Sequence, residues 1–405
     1  MKAAMKWVDI TPSGVFYLDG YLNQVRREPA LGVHDHPYGI LLLLEFETAR
    51  VMFVSIDVCT LSHAATLDLR RQLAQSVGVP EEHIVIFAVH SHSCPTGFGD
   101  GLIDKVSHGF ESKATGAIVE ASTRLVQDLV EIDAEFASTK VVGWYSNRND
   151  PDRPFDDSAA VIRFVDRKGD VIGAMLNFNC HATVVGPHNR YLTVDVMGAV
   201  RDELSDWIGV MPLTFTGASA DLGNRQFRRG NDFAELKRVS NGIAGEIMKS
   251  RFEALPIGDP THRRFSYSVR YDNEKYHDRY RDMLKNVRRR LESSPGADEV
   301  KLLGTAESML EEKLSVGAVS FPIEMDVFDF GTLVLVTFPG ELASDLGMRV
   351  KGMFGERMAL IMGYANDYQG YFIPSYDFGY NYEALVSNMP QGGIEKVLDA
   401  FEEWL

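Results

Sequence analysis

The chain has 405 residues, 45% of them hydrophobic and 24% charged, which are ordinary values for one large α/β domain or two average domains. Its formal net charge of −16 at pH 7 would repel phosphate backbones and anionic membrane surfaces, so we predict no nucleic-acid partner. Since no apolar run approaches the roughly 20 residues of a spanning helix and no signal-peptide h-region is evident, we predict no stable membrane insertion. The three widely spaced cysteines argue against a disulfide framework and indicate a reducing cytoplasm. The sequence leaves a homo-oligomer open.

In the first half of the chain, apolar segments of strand length alternate with segments of helical periodicity. Ser62 and Gly78 are the expected caps of the first helix. We predict helices over 63–76, 112–131, 196–208 and 232–250, and strands over 40–46, 51–56, 84–89, 135–145, 159–165, 171–179 and 213–216.

The second half begins with a predicted strand near 264–271, followed by a segment of different character, 272–316. Its two helical patterns, 276–291 and 297–313, are separated by the sequence Ser-Ser-Pro-Gly, which predicts a helical hairpin insertion. The first helix is basic and the second has mixed charge, which favours a solvated hairpin over one that lies on a membrane. We predict further strands over 319–329, 331–338 and 358–363, and helices over 342–353 and 393–405.

This alternation predicts an α/β fold with a mixed sheet in one layered domain, 1–405, that carries the hairpin as an insertion. In such folds, reactive groups collect just beyond the carboxyl ends of strands. Four predicted strands end in residues suited to binding a metal. These ends carry His90 and His92, His181, Glu341, and the segment 364–371 that finishes at Tyr371. Two histidines and a carboxylate brought together would suit a zinc site with an open position.

Each of these residues also has a purely structural interpretation. A single histidine at a strand end is more often hydrogen-bonded than metal-bound, Glu341 could be a first-turn carboxylate of the following helix, and Tyr371 could be a packed aromatic. The coincidence of four such strand ends favours the metal site. His34, Asp35 and His36 offer a second set of ligand types, or else a turn with solvent contacts.

The ordered motifs resemble the catalytic domain of the neutral/alkaline non-lysosomal ceramidases and its shorter bacterial relatives. The motifs that carry this resemblance are Asp9-Ile-Thr-Pro, Gly32-Val-His-Asp, His90-Ser-His-Ser, Asn147-Arg148, His181, Pro339-Gly-Glu341 and Asn366-Asp-Tyr-Gln-Gly-Tyr371. The resemblance implies zinc as the cofactor and an N-acyl amide, small or lipid-like, as the substrate. It also implies an α/β catalytic domain, here without the C-terminal immunoglobulin-like domain.

The implied zinc ligands are His90, His181, Glu341 and Tyr371. By the same resemblance, His92, Arg148 and Tyr382 match groups around the substrate amide. Zinc can lower the pKa of a bound water to about 7 and polarise a carbonyl. His92 could then transfer a proton, while Arg148 and Tyr382 could hold the developing oxyanion.

The sequence departs from the family where the ceramidases carry a nucleophilic serine. That position falls on Leu222, and Ser219 lies three residues earlier, so we expect metal-activated water as the nucleophile, with Asp221 nearby. Ser219 and Asp221 could instead only shape a turn.

The sequence therefore predicts a zinc-dependent amidohydrolase that acts on linear amides, with a small soluble substrate. Three alternatives stay open: a true ceramidase acting on N-acylsphingosine, a zinc esterase or lactonase, and a non-catalytic metal-binding homologue.

Overall fold

In a computed structural model, the described residues are 1–21, 26–99, 107, 109–293, 295–379 and 381–405. The strands are β1 Lys2–Asp9, β2 Gly32–Val33, β3 Tyr38–Glu45, β4 Arg50–Ile56, β5 Ile84–Ala88, β6 Val130–Lys140, β7 Ser146–Asn147, β8 Ser158–Asp166, β9 Val171–Phe178, β10 Tyr191–Leu192, β11 Leu213–Phe215, β12 Leu222–Gly223, β13 Glu253–Ala254, β14 Ile257–Asp272, β15 Ala318–Gly331, β16 Leu333–Thr337, β17 Glu341–Leu342, β18 Met358–Met362 and β19 Tyr371–Phe372. The α-helices are α1 His63–Val77, α2 Phe110–Ser122, α3 Asp195–Ile208, α4 Phe233–Ile247, α5 His277–Glu292, α6 Ala297–Ser315, α7 Ser344–Gly352, α8 Tyr382–Val386 and α9 Gly393–Trp404.

Two mixed sheets form the centre of the fold. The larger has the strand order β11-β9-β8-β6-β1-β3-β4-β5, with β13 added beside β6, and the smaller has the order β14-β15-β16-β18. The sheets pack face to face, since Phe53 and Phe87 of the larger sheet share one apolar core with Phe328 and Leu335 of the smaller. The predicted α/β fold with mixed sheets is therefore confirmed.

Helices cover the outer face of each sheet. On the larger sheet, alternate residues of β3 and β4 pack with α1 and α2, while β8 and β9 pack with α3 and α4. On the smaller sheet, Val334 and Val336 of β16 face α7 and α9. The layers are therefore helix, sheet, sheet and helix, as expected when each sheet must bury both faces.

Local signals explain where the first helix begins and ends. The Ser62 side chain accepts a hydrogen bond from the Ala65 amide, and Gly78 adopts φ 65°, the left-handed conformation that ends many helices. Both predicted caps are confirmed.

The prediction of a helix over 112–131 was wrong at its C-terminal end. Helix α2 ends at Ser122, and β6 begins at Val130. The apolar and polar residues that alternate along β6 belong to a strand that pairs with β8. This pairing runs from Ile132, opposite Asp166, to Lys140, opposite Ser158. Because the pairing with β8 sets the extent of β6, the strand predicted over 135–145 was placed five residues too late at both ends. Strand β1, which we did not predict, pairs with β3 along its whole length.

Helices α5 and α6 form the predicted hairpin, and Ser294 of its linker lies outside the described residues. Its outer side is solvated, because Arg288 pairs with Glu307 and Glu311 at the surface. Its inner side is not, because Leu303, Ala306 and Leu310 of α6 are buried. Of the helices in the described residues, none is both long and apolar enough to cross a membrane.

Candidate metal centre and adjoining cavities

Two pairings beyond the main sheets bring the strand ends together. A parallel bridge between Ser91 and Ala182 sets the segment after β5 beside the segment after β9, and so His90 and His92 beside His181. In the smaller sheet, β16 and β18 are parallel, and the short strands that follow them pair with Glu341 opposite Tyr371. Each sheet therefore supplies part of the predicted ligand set.

His90, His181 and Glu341 form one buried cluster whose potential ligand atoms lie within 4.8 Å of one another. The Nε2 atom of His90 is 3.5 Å from Glu341 Oε1, and the Nε2 atom of His181 is 3.6 Å from Oε2. His90 has φ 59° and nearby Tyr364 has φ 54°, a conformation that costs energy in residues other than glycine. Such strain is commonly found at functional sites.

The donor atoms of this cluster fit a divalent transition metal. The Nδ1–H of His90 donates to the Cys59 carbonyl at 2.8 Å, and the Nδ1–H of His181 donates to the Ser219 carbonyl at 3.3 Å. Both Nε2 lone pairs therefore face the carboxylate of Glu341, as in histidines oriented for metal binding. Burial lowers the pKa of His90 to about 4 and that of His181 well below its usual range, so both rings are neutral.

Glu341 is also held by tyrosine hydroxyls. Tyr368 donates to Oε1 at 2.5 Å, and Tyr364 donates to Oε2 at 3.4 Å. Tyr371 is a further hydrogen-bonding neighbour, and burial raises the pKa of Glu341 to about 7. Only Tyr371 was predicted to take part in the site, although Tyr368 stands in the same quoted motif and Tyr364 begins the segment 364–371.

His92 lies beside the cluster, with its Nε2 atom 3.1 Å from Nε2 of His90. A segment near the N-terminus, which the sequence analysis did not single out, holds it there. Tyr21 packs edge-on against the His92 ring at 5.1 Å, and Arg26 donates to the His92 carbonyl. Gly20 has φ +91°, and a Cβ atom there would lie 2.4 Å from Cα of His92. Only glycine allows this close approach.

Arg148 reaches the site from the turn after β7. Its Nε–H donates to Glu383 at 2.5 Å, and the guanidinium lies 6.0 Å from the centre of the Tyr371 ring. Among the described residues, the buried Nη2 atom of Arg148 has no hydrogen-bond partner. Tyr382 packs edge-on against Tyr371 with the ring centres 5.8 Å apart. Arg148 and Tyr382 therefore flank the predicted ligand Tyr371.

Asp221 and Ser219 lie behind these groups. Asp221 accepts hydrogen bonds from the side-chain amide of Asn147 at 2.7 Å and from the Ser344 amide at 2.8 Å, and burial raises its pKa to about 6. The Ser219 hydroxyl lies 3.2 Å from that of Thr216. Neither Asp221 nor Ser219 is among the described residues that line the cavities, and Leu222 is buried in β12. Asp221 thus holds the chain that carries Arg148.

Two cavities meet at the cluster and share the side chains of His92, Tyr371 and Tyr382. The first, of about 70 Å³, also contains His181, Arg148, Arg225 and Arg228. The second, of about 230 Å³, contains His90 and Glu341 beside the apolar side chains of Leu61, Met309 and Val386. Helix α6 reaches both cavities, through Leu302 and Thr305 in the first and Met309 in the second. The predicted solvated hairpin is therefore also part of the site's wall.

The other candidate ligands separate in the fold. The Nδ1 atom of His34 lies 2.8 Å from a carboxylate oxygen of Asp35, whereas the Nδ1 atom of His36 lies 3.0 Å from a carboxylate oxygen of Asp9. In the described parts of the chain, these residues are not among the groups that could hold a metal. Cys59, which the sequence analysis did not consider as a ligand, is grouped with His90 and His92.

The fold and the sequence both match known proteins. Residues 8–208 match the family described as neutral/alkaline non-lysosomal ceramidase, N-terminal. Neutral ceramidase of Oryza sativa subsp. japonica is 25% identical over 238 residues, covering 53% of this chain and 30% of the relative. Neutral ceramidase of Pseudomonas aeruginosa is 26% identical over 192 residues, covering 42% of this chain and 29% of the relative.

A solved structure of neutral ceramidase from Pseudomonas aeruginosa superposes with a TM-score of 0.70 and 17% identity, covering all of this chain and 75% of that one. The chain spans only about 30% of the length of the curated relatives in the sequence matches. The family match includes His90 and His181, whereas Glu341 and Tyr371 fall beyond its last residue, 208. The resemblance recognised from the motifs is therefore confirmed over residues 8–208, just under half of the chain.

Proposed function

We propose that this protein is a zinc-dependent hydrolase that cleaves the N-acyl amide bond of a small substrate. The observation that carries the proposal is the cluster of His90, His181 and Glu341 at the junction of two cavities. Hydrolysis breaks the carbon–nitrogen bond, and the oxygen of a water molecule ends in the new carboxylate while its protons leave with the amine and the solvent. A scissile bond at the junction would place one half of the substrate in each cavity.

A bound zinc ion would supply a Lewis acid and lower the pKa of water. His90, His181, Glu341 and Tyr371 are the residues that would hold it. The chain's own contribution is to orient these ligands and the substrate. The backbone carbonyls of Cys59 and Ser219 fix the two imidazole rings, and the hydroxyl of Tyr368 fixes the carboxylate.

Three further side chains are placed to act on the substrate. His92 lines both cavities, and it is not one of the two histidines whose rings are fixed by the carbonyls of Cys59 and Ser219. We therefore assign to His92 the transfer of a proton to the leaving nitrogen. Arg148 and Tyr382 flank Tyr371 and are assigned to the developing oxyanion, where preorganised donors contribute most to the rate. Asp221 supports this wall through Asn147 and Ser344.

The cavity sizes favour a small substrate. The two cavities, about 70 and about 230 Å³, together reach only the lower end of the roughly 300–1,000 Å³ of common ligand pockets. The apolar side chains of the larger cavity, Leu61, Met309 and Val386, suit a short acyl or alkyl group. The relatives are named ceramidases, so N-acylsphingosine is the alternative substrate, with the same apolar cavity receiving a longer chain.

The test combines metal analysis with a substrate series. We expect about one zinc per chain, and faster hydrolysis of short N-acyl compounds than of ceramide presented in detergent. His181→Ala should lose most of the metal and the activity, whereas His36→Ala, at a surface histidine outside the cluster, should keep both. Zinc-replete protein that cleaves none of the amides would contradict the proposal, and a clear preference for long-chain ceramide would establish the alternative.

A further inference from the structure

We propose that Asn366 is a positioning residue of the metal centre, because its side chain ties the segment 364–371 to both sheets at once. This segment carries Tyr368 and Tyr371, which are hydrogen-bonding neighbours of Glu341. Asn366 opens the motif that ends at Tyr371, yet it has no part in the chemistry proposed above. The inference rests on the proposed function, since it concerns the residues that would hold the metal.

The start of this segment lies along the edge of the larger sheet. Strand β5 is the last strand in the order of that sheet, and residues 364–366 run beside it on the side away from β4. The Ala88 amide donates to the Tyr364 carbonyl at 3.2 Å, and the Asn366 amide donates to the Ile86 carbonyl at 2.7 Å. The chain that leaves β18 of the smaller sheet therefore extends the larger one.

Asn366 is the residue at which this pairing ends. It has φ 66°, the left-handed conformation that asparagine adopts more readily than most residues other than glycine. The chain turns away from β5 here, and the side-chain Oδ1 atom of Asn366 accepts a hydrogen bond from the buried Ile86 amide at 3.1 Å. Because a buried amide without a partner costs free energy, the side chain takes the place of the backbone carbonyl of a longer strand.

The other end of the same amide reaches the smaller sheet. Its Nδ2 atom donates to Asp326 of β15 at 3.1 Å, and Asp326 is only 2% exposed. His262 and Arg264 each donate to the same carboxylate at 2.8 Å and hold it in place. These partners also fix the orientation of the Asn366 amide, since the reverse orientation would set its oxygen against the carboxylate. Two hydrogen bonds of one side chain therefore join β5 to β15.

Three backbone contacts fasten the segment to the smaller sheet's side of the site. The amides that donate are those of Tyr364, Ala365 and Gln369, and the carbonyls that accept are those of Gly340, Phe338 and Pro339 respectively. These bonds set the segment beside Glu341, but they do not fix its distance from His90, which follows β5. The pairing with β5 fixes that distance, and the Tyr364 ring accordingly stacks on His90 with the centroids 4.1 Å apart. Loss of the Asn366 side chain should therefore move Glu341 and its tyrosines relative to the two histidines.

The experiment uses two variants of Asn366 and one control. Asn366→Gly removes both side-chain hydrogen bonds but keeps the left-handed φ without strain. Asn366→Asp keeps an acceptor for the Ile86 amide and sets a second carboxylate against Asp326, so it tests the contact with the smaller sheet alone. The control is Ile247→Ala in α4, which should destabilise the fold elsewhere. Ile247 belongs to an apolar cluster whose described members include no residue of 364–371.

The first measurement is zinc affinity, by competition with a chromophoric chelator, together with the melting temperature. We expect both Asn366 variants to bind zinc about tenfold more weakly, as when other groups that orient metal ligands are removed. Ile247→Ala should lower the melting temperature and keep the zinc affinity of the wild type. Unchanged zinc affinity in Asn366→Gly would overturn the proposal. An equal loss of zinc affinity in Ile247→Ala would also overturn it, because affinity would then follow general stability.

Hydrogen exchange of the metal-free protein separates this inference from the proposed function. Asn366→Gly should speed the exchange of the Ile86 amide and of the amides in 364–371, while those of α4 keep their wild-type rates. Unchanged exchange in the segment would refute the role of Asn366 even if the wild type binds zinc and cleaves amides. Faster exchange there would support that role even if the wild type binds no zinc and cleaves no amide, results that would count against the proposed function alone.

Discussion

Replacing Tyr368 with phenylalanine tests how the protein holds the carboxylate of Glu341. The Tyr368 hydroxyl donates to Glu341 Oε1 at 2.5 Å, whereas the Tyr364 hydroxyl lies 3.4 Å from Oε2. A hydrogen bond to a charged group contributes about 1.5–3 kcal/mol, which corresponds to roughly 10–100-fold in affinity. Removing a partner that orients a metal ligand has a similar effect, about 10–100-fold in metal affinity. We therefore expect Tyr368→Phe to weaken zinc binding by this factor.

Tyr364→Phe is the matched variant. Its ring stacks on His90 with the centroids 4.1 Å apart, and phenylalanine keeps that contact. The two contacts that its hydroxyl loses, to Glu341 Oε2 and to the Ser219 hydroxyl, are each 3.4 Å and close to the geometric limit, so we expect a change of less than about threefold. Zinc affinity is measured by competition with a chromophoric chelator, and circular dichroism verifies that both variants are folded. Wild-type zinc affinity in Tyr368→Phe, or an equal loss in both variants, would refute this account of the Glu341 hydrogen bonds.

Three further predictions concern the nucleophile, the His92 support and the hairpin. Ser219→Ala should lower kcat by at most about tenfold, whereas His92→Ala should lower it about 10²–10⁴-fold; an inactive but zinc-replete Ser219→Ala protein, or an acyl group trapped on Ser219, would restore a serine mechanism. Gly20→Ala should displace His92 and lower kcat on the order of 10²-fold. Gly14 also has a positive φ but open space around it, so Gly14→Ala should leave kcat unchanged. Equal activities in the two variants would contradict the role of Gly20. Burial lowers the pKa of Lys313 from 10.5 to about 7, so the folded protein binds fewer protons than the unfolded chain between these values, and stability from this group should rise with pH across that window. Lys313→Met should flatten this rise in melting temperature, and an unchanged pH slope would show that Lys313 does not titrate there.

Local patterns in the sequence were sufficient for the elements whose stability is local. The caps of α1 and the buried strand β3 are determined by residues close in the chain, and both were predicted. The end of α2 and the bounds of β6 were not predicted correctly, because the pairing of β6 with β8 overrides the helical periodicity near Val130.

The candidate site shows the same division. Residue type and position at strand ends pointed to His90, His181 and Glu341, which the structure brings together. The contacts of Gly20 with His92 and of Tyr368 with Glu341 depend on segments that are 72 and 27 residues apart in the chain and approach only in the folded protein. No periodicity near either residue carries that information.

The division of the proposed ligands between the two sheets has a consequence for folding. His90 and His181 follow strands of one sheet, while Glu341 and Tyr371 follow strands of the other, so neither sheet alone would supply all four proposed ligands. A cation bound by all four would act as a cross-link between distant parts of the chain and would bind the native state in preference to the unfolded one. At a free concentration 1,000 times its Kd, such a cation would add about 4.1 kcal/mol to the free energy of unfolding. Chelation would therefore be expected to loosen the contact between the two sheets as well as to stop the chemistry.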